Sequence, residues 1–249
     1  MANILLEICC GSTEDAVEAE RGGADRVELC SALFLGGLTP SIGSLDEAKH
    51  RLKIPVMAMD RPRQAGFCYS ATEFAVMERD ADRLLEHRAD GIVFGILNAD
   101  GTVDTARSRM IRNRIGKRQA VFHRAFDVTP DPFHTLEELI DLGITRVLTS
   151  GQRNGAPQGS ALIRELVDQA RGRIEVLPGA GIGLDNIGDL VITTGCTQVH
   201  LTAFAEMRDT STQAHSRIKF GSALMPDEAA YELTDASFVR EVKERLRAI

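Results

Sequence analysis

The sequence predicts an α/β fold of the (β/α)8 TIM-barrel class, with residues 1–249 forming one domain. Three observations predict it. Short apolar runs alternate with longer amphipathic stretches, and eight such pairs can be counted along the chain. The length of 249 residues suits a closed eight-unit ring, which takes about 250. A five-residue pattern (glycine, any residue, Asp or Thr, a polar residue, valine) recurs as Gly23-Ala24-Asp25-Arg26-Val27, Gly143-Ile144-Thr145-Arg146-Val147 and Gly195-Cys196-Thr197-Gln198-Val199. Arg88-Ala89-Asp90-Gly91-Ile92 is a looser fourth copy. The copies precede the second, sixth, eighth and fourth strands, as expected of a ring built from two-unit modules.

The strands are predicted over 4–9, 26–29, 56–59, 91–94, 120–122, 146–149, 175–177 and 198–201, with helices between them. The first two carry Glu7-Ile8-Cys9 and Glu28-Leu29-Cys30. Side chains two apart on a strand share a face. Parallel neighbours lie about 4.8 Å apart, so two carboxylates and two thiols should fall into one small volume. Each repeat copy sits where a helix should end on a left-handed glycine. Thr39-Pro40 and Asp131-Pro132 read as helix starts with a first-turn proline, and Ser70-Ala71-Thr72-Glu73 reads as a capping box. Met57 and Met59 alternate on the third strand as packing residues. After the eighth strand, 206–221 is poor in apolar residues and is expected to be a mobile loop, followed by a closing helix over 237–246.

Composition narrows the function. A net charge of −7 argues against a general nucleic-acid or anionic-membrane binder, while leaving room for a small anion held by local arginines. No apolar run reaches the roughly 18 residues of a membrane helix, and Met1-Ala2-Asn3-Ile4 lacks the start of a secretory signal. A cytoplasmic location is the expectation. Five cysteines without a framework spacing or a CxxC pair are then expected as free thiols.

Barrels of this class work at the C-terminal ends of their strands. Reading those positions gives Glu7, Cys9, Glu28, Cys30, Asp60, Arg61, Arg63, His123, Arg124, Asp127, Ser150, Gly179, Gly181, His200 and Thr202. Glu7 and Glu28 form a candidate acid/base pair, with His123, His200 and Asp127 as further proton-handling or orienting groups. Arg61, Arg63 and Arg124 are candidate anion-binding groups, joined by Ser150. Gly179 and Gly181 bring backbone N–H groups close to a ligand after the seventh strand, a frequent phosphate position in barrels. Cys9 and Cys30 are candidate metal ligands. Structural roles stand beside these: Glu7 and Glu28 as buried ion pairs with Arg61 or Arg124, the thiols as small inward fillers, and His123 and His200 as buried hydrogen-bonded rings. Cys10 should face the helices.

The blocks Glu7-Ile8-Cys9, Gly22 through Cys30, Gly36-Gly37-Leu38-Thr39-Pro40-Ser41, Arg61-Pro62-Arg63, Phe122-His123-Arg124-Ala125-Phe126-Asp127, Arg146 through Gly151 and Pro178-Gly179-Ala180-Gly181-Ile182 occur in the order found in the copper homeostasis protein CutC family, which the chain resembles over essentially its whole length. The resemblance implies a cytoplasmic TIM barrel that assembles as a homo-oligomer, a dimer or tetramer, with a role in copper tolerance or trafficking. It also implies copper binding at Cys9 and Cys30. The rim departs from the family pattern at Gln64-Ala65-Gly66-Phe67, Asp60, Thr202 and Gly221. Two functions therefore stand: copper(I) binding through a thiol pair, since soft thiolates suit Cu(I), or an enzyme acting on a small anionic metabolite by Glu/His acid–base chemistry.

Overall fold

The computed structural model describes residues 4–215, 217–218 and 230–249. Eight parallel strands form the inner wall: β1 (Leu5–Cys10), β2 (Arg26–Leu29), β3 (Val56–Met59), β4 (Gly91–Phe94), β5 (Gln119–Phe122), β6 (Arg146–Thr149), β7 (Glu175–Pro178) and β8 (Gln198–Leu201). Their order is β7-β6-β5-β4-β3-β2-β1-β8, and a parallel bridge between Gly179 and His200 brings the two ends together. The outer layer is α1 (Thr13–Gly22), α2 (Ile42–Arg51), α3 (Ala71–Glu86), α4 (Thr105–Ile115), α5 (Pro132–Asp141), α6 (Ser160–Ala170) and α7 (Ile187–Thr194), closed by α8 (Ala236–Arg247). This is the TIM barrel that the sequence predicts.

Local chemistry fixes the element ends. Ser70 and Glu73 form the full capping box at α3, and Asp131 caps α5 ahead of Pro132. Gly23, Gly143 and Gly195 are all left-handed, with φ of 96°, 73° and 67°. In the looser repeat copy the same position is Arg88, also left-handed at φ 68°, so the backbone need persists where the glycine does not. One start differs from expectation. Ser41, not Thr39, caps α2, and Thr39 Oγ1 instead accepts the Arg61 N–H at 3.0 Å, tying the loop before α2 to the end of β3.

Alternation sorts the strand residues. Leu6, Ile8, Cys10, Val27 and Leu29 pack outward into the large core under the helices. Cys9, Cys30, Met57, Met59, Val93 and Val121 form a separate apolar cluster inside the barrel. Beneath that cluster the polar position of the repeat points inward from alternate strands: Arg26 Nη2 donates to Gln198 Oε1 at 2.9 Å, and Arg146 Nε donates to the same oxygen at 2.9 Å. The fourth member of this layer is Gly91. A Cβ there would sit 2.6 Å from Gln119 O and 2.7 Å from Met57 Sδ, so the position is small because β5 and the Met57 side chain approach it closely.

The stretch after β8 corrects the expected loop. Residues Phe204–Arg208 form β9, paired antiparallel with β10 (Ala230–Thr234), so 206–208 are strand. Asp15 in α1 accepts the Thr234 N–H at 2.7 Å and holds β10 over the start of α1. Residues 216 and 219–221 of the expected loop, Gly221 among them, lie outside the described residues. No described helix is long and apolar enough to cross a membrane.

Candidate functional site

At the C-terminal end of the barrel the strands open into a cavity of about 790 Å3. Its floor comes from three adjacent strands, β2, β1 and β8, whose register sets Cys9 opposite Glu28 and Glu7 opposite His200. Glu28 Oε2 lies 3.4 Å from Cys9 Sγ, 3.6 Å from Cys30 Sγ and 3.8 Å from His200 Nε2. The donor atoms of Cys9, Glu28 and Cys30 all lie within 4.8 Å of one another, as do those of Glu7, Glu28 and His200. All five side chains are buried.

Glu7 sits below this floor and does not line the cavity. Burial would raise its carboxyl, but the Arg26 guanidinium and then the His200 hydrogen bond hold it well below the usual carboxylate range. Its partners are thus Arg26, an ion pair within the barrel, and His200, which donates Nδ1–H to Oε1 at 2.8 Å. Neither Arg61 nor Arg124, the expected partners, is bonded to Glu7 or Glu28. Arg26 was legible in principle: it stands two before Glu28 on one strand and so shares its face. The same spacing places Gln198 beneath His200.

The floor is strongly coupled. Burial pushes the Glu28 carboxyl up to about 8. The hydrogen bond from Cys30, with His200 beside it, brings the Cys9 thiol down to about 5 against the cost of burial. Cys30 is raised, first by that hydrogen bond and then by burial. Burial opposes the charge on His200, yet Glu28, Cys9 and Glu7 raise it well above its ordinary value. Physically, one imidazolium faces a cluster of three acidic groups, and the charge on the thiol pair settles on Cys9, which is nearest that imidazolium. Glu28 Oε1 is buried and has no partner among the described residues.

The opposite wall comes from the ends of β3 and β5. His123 Nδ1 accepts the Ala125 N–H at 3.1 Å, which leaves the proton on Nε2. Burial and then Arg61 lower this imidazole to about 3, so the ring is neutral at physiological pH with its N–H on Nε2. Its Nε2 is buried and has no acceptor among the described residues. The Phe67 ring packs on it at 4.9 Å, and the Arg61 guanidinium lies 5.3 Å from the centre of the same ring.

The other expected residues divide. Arg124 and Asp127 line the cavity, but Asp127 accepts from Arg124 Nε at 2.8 Å, Ser150 Oγ at 2.8 Å and Ser150 N at 3.0 Å. It anchors the turn after β5 to the end of β6, and Ser150 belongs to that anchor rather than to the cavity lining. Gly181 lines the cavity at φ 67°. Gly179 does not, and is small because a Cβ would meet Leu148 Cδ1 at 2.6 Å. Arg63 turns away to pair with Glu73 over Tyr69. Thr202 lines the mouth, whereas Asp60 is fully buried outside it, its carboxyl raised by burial and by Asp80. Reading the strand ends alone passed over Phe67 and Met59, whose apolar character marks them as packing until the cavity is seen.

The CutC family model matches residues 4–205. A CutC family protein from Treponema denticola is 48% identical over 246 residues, covering 99% of this chain and 100% of that protein. The human protein named copper homeostasis protein cutC homolog is 42% identical over 236 residues, covering 95% and 86% respectively. The crystal structure of CutC from Streptococcus agalactiae superimposes with a TM-score of 0.76 at 35% identity, covering 80% of this chain and 98% of that one. KGPDC from Streptococcus mutans, at 11% identity and a TM-score of 0.63 over 100% of this chain and 99% of its own, shares the barrel alone. With a matching family model over most of its length and relatives at these identities, this chain belongs to the CutC family.

Proposed function

We propose that this chain serves copper homeostasis by binding copper(I) at the floor of the mouth through Cys9 and Cys30. One observation carries the reading: the sulfurs of Cys9 and Cys30 and a carboxylate oxygen of Glu28 converge within 4.8 Å, with Cys9 and Glu28 lining the cavity and Cys30 buried outside its lining. Soft thiolates at low coordination number are the donors that Cu(I) prefers over harder cations. The Cys30 hydrogen bond and the nearby His200 lower the Cys9 thiol against burial, which favours the thiolate that a copper ion takes, and loading the pair releases the thiol protons that remain. The Glu28 carboxyl, whose Oε2 lies 3.4 Å from Cys9 Sγ and 3.6 Å from Cys30 Sγ, would supply a third donor beside the pair. Copper is here cargo, and the name of the human relative supports the same assignment. We place the protein in the cytoplasm as a homo-oligomer, a state that light scattering after gel filtration reads directly.

The test is an anaerobic Cu(I) titration against a competing chelator. Wild type should take up about one copper per chain, and the Cys9→Ser, Cys30→Ser double variant should lose at least about 100-fold in affinity. Binding that survives in the double variant overturns the assignment.

A second reading, that the mouth turns over a small anionic metabolite, is favoured by the size of the cavity. At about 790 Å3 it lies in the range of small-molecule sites, roughly 300–1,000 Å3, and a single ion fills little of it. Cys9, Glu28 and His200 would exchange the proton there, with His123 donating to the developing negative charge. Loss of a compound from a defined panel of hydroxy and oxo acids, seen with wild type and absent with Glu28→Gln, supports this reading; an untouched panel counts against it.

A further inference from the structure

We propose that the wall between the ends of β3 and β5 is a binding site for a small monocarboxylate with an apolar body, held by Arg61 and His123. This rests on the second reading above, that the mouth takes a small anion, and it names the ligand class and the groups that hold it.

The charge balance singles out Arg61. Of the three arginines predicted as an anion clamp, Arg63 is paired with Glu73 and Arg124 with Asp127. Arg61 is buried and held by backbone carbonyls alone: Nη1 donates to Leu35 O at 3.1 Å and Gly37 O at 3.0 Å, and Nη2 to Ala65 O at 2.8 Å. Carbonyl dipoles fix a guanidinium without cancelling its charge. Its Nε has no partner and no carboxylate pairs with it among the described residues. A buried cation without a counter-ion is costly, and an anionic ligand is the ordinary remedy.

A second orphan stands beside it. The Nε2–H of His123 is buried without an acceptor, whereas about nine in ten buried polar groups have a partner. The ring cannot turn to find one: Ala125 N–H holds Nδ1, Phe67 covers one face, and Gly95 lies so close that a Cβ there would stand 2.4 Å from His123 Cε1. Phe67 thus lies against both the cation and the donor, and both Arg61 and His123 line the cavity.

The remaining lining sets the class of ligand. Met59, Leu148 and Ile182 offer apolar surface in the same cavity, and Phe34 and Val128, 66% and 62% exposed, line it too, where an apolar ligand body would cover them. One uncompensated cation, with Glu232 at the rim, suits a single negative charge better than the two of a phosphate.

The experiment is isothermal titration of copper-free wild-type protein, kept under chelator, with acetate, benzoate, phenylacetate, phenylpyruvate and inorganic phosphate. Saturable binding of the aromatic carboxylates, tighter than that of acetate or phosphate, is expected. Arg61→Gln should weaken it about 10- to 100-fold and Arg63→Gln by less than about 2-fold. Arg61 also ties down the loops at residues 35–37 and 65, so a wild-type measurement accompanies the variants. The Nε2–H proton resonance of His123, assigned by its loss in His123→Gln, should shift on saturation with benzoate. The proposal is overturned if no carboxylate binds at about 10 mM, if Arg61→Gln binds as wild type does, or if the resonance stays in place at saturation. Phosphate binding more tightly than every carboxylate overturns this ligand class yet leaves the small-anion reading intact; carboxylate binding without any turnover does the opposite.

Discussion

Substituting Glu7 by Gln should test the polar layer on which the mouth is built. Glu7 is 2% exposed and both of its oxygens are engaged, by Arg26 and by His200 at 2.8 Å. Arg26 is itself 2% exposed and otherwise meets Gln198, which also serves Arg146. Removing this one negative charge leaves two buried cations, Arg26 and the His200 imidazolium, short of compensation. Breaking a buried pair from one side costs about 3–5 kcal/mol. At this chain length each kcal/mol lowers Tm by about 2–4 °C, so a fall of roughly 6–20 °C is expected by calorimetry. Adding Arg26→Gln should return part of the loss, with a coupling of about 1–3 kcal/mol. The effect has a pH signature. Because Arg26 and His200 hold the Glu7 carboxyl below its unfolded value of 4.5, its contribution is complete above that value and is lost as the pH falls through the lower folded one. Wild type and variant should converge in acid. A Glu7→Gln protein within about 1 kcal/mol of wild type at pH 7, or strictly additive losses in the double variant, would refute the network as described.

Three further substitutions probe the site. Glu28→Gln should gain on wild type as the pH rises from 4.5 to about 8, because the folded chain holds a proton there that the unfolded chain has released; the gain is at most about 5 kcal/mol, and a difference that stays flat across that interval in urea melts contradicts it. Asp127→Asn should cost about 2–4 kcal/mol by weakening the anchor to Ser150 and Arg124, and a denaturation midpoint indistinguishable from wild type would deny that role. Gly95→Ala places a Cβ 2.4 Å from His123 Cε1 and 2.9 Å from Ala125 Cβ; a loss of about 1–3 kcal/mol and displaced imidazole nitrogen resonances are expected, and resonances left in place would mean that the ring is not wedged.

Much of this architecture was legible because barrels write two periodicities into a chain. Alternation at period two fixed which of Cys9 and Cys10 enters the barrel, and parallel register made neighbours of Cys9 and Glu28. The five-residue repeat marked helix ends correctly, but its polar fourth position was harder to read. Arg26, Arg146 and Gln198 stand at strand beginnings, where a long polar side chain ordinarily signals solvent; only the closed ring turns them toward a shared centre. The hairpin of β9 and β10 left little trace for a similar reason. Four of the five β9 residues are exposed, so no buried face imposes alternation, and its partner strand begins twenty-odd residues later in the chain. The state of His123 was not legible for a different reason. Its place at a strand end suggests a base, yet the Ala125 N–H and the nearby Arg61 decide its tautomer and charge, and neither follows from spacing along one strand.

The strand order explains how one mouth holds two sets of groups. Cys9, Cys30, Glu28 and His200 come from β1, β2 and β8, which are consecutive in the ring, and Glu7 grips Nδ1 of His200 so that Nε2 faces Glu28 and Cys9. The acidity of that floor is therefore set from below by Arg26, through Glu7, although Arg26 touches no part of the cavity. Arg61 and His123 follow β3 and β5, separated by β4, whose Gly95 yields the volume that the imidazole occupies. Anionic and thiol groups thus gather on one arc and an uncompensated cation with a neutral donor on the next, across a space of about 790 Å3. Copper affinity measured with and without saturating benzoate reads any coupling between the two arcs: a change in one ligand's affinity on saturation with the other must be matched reciprocally.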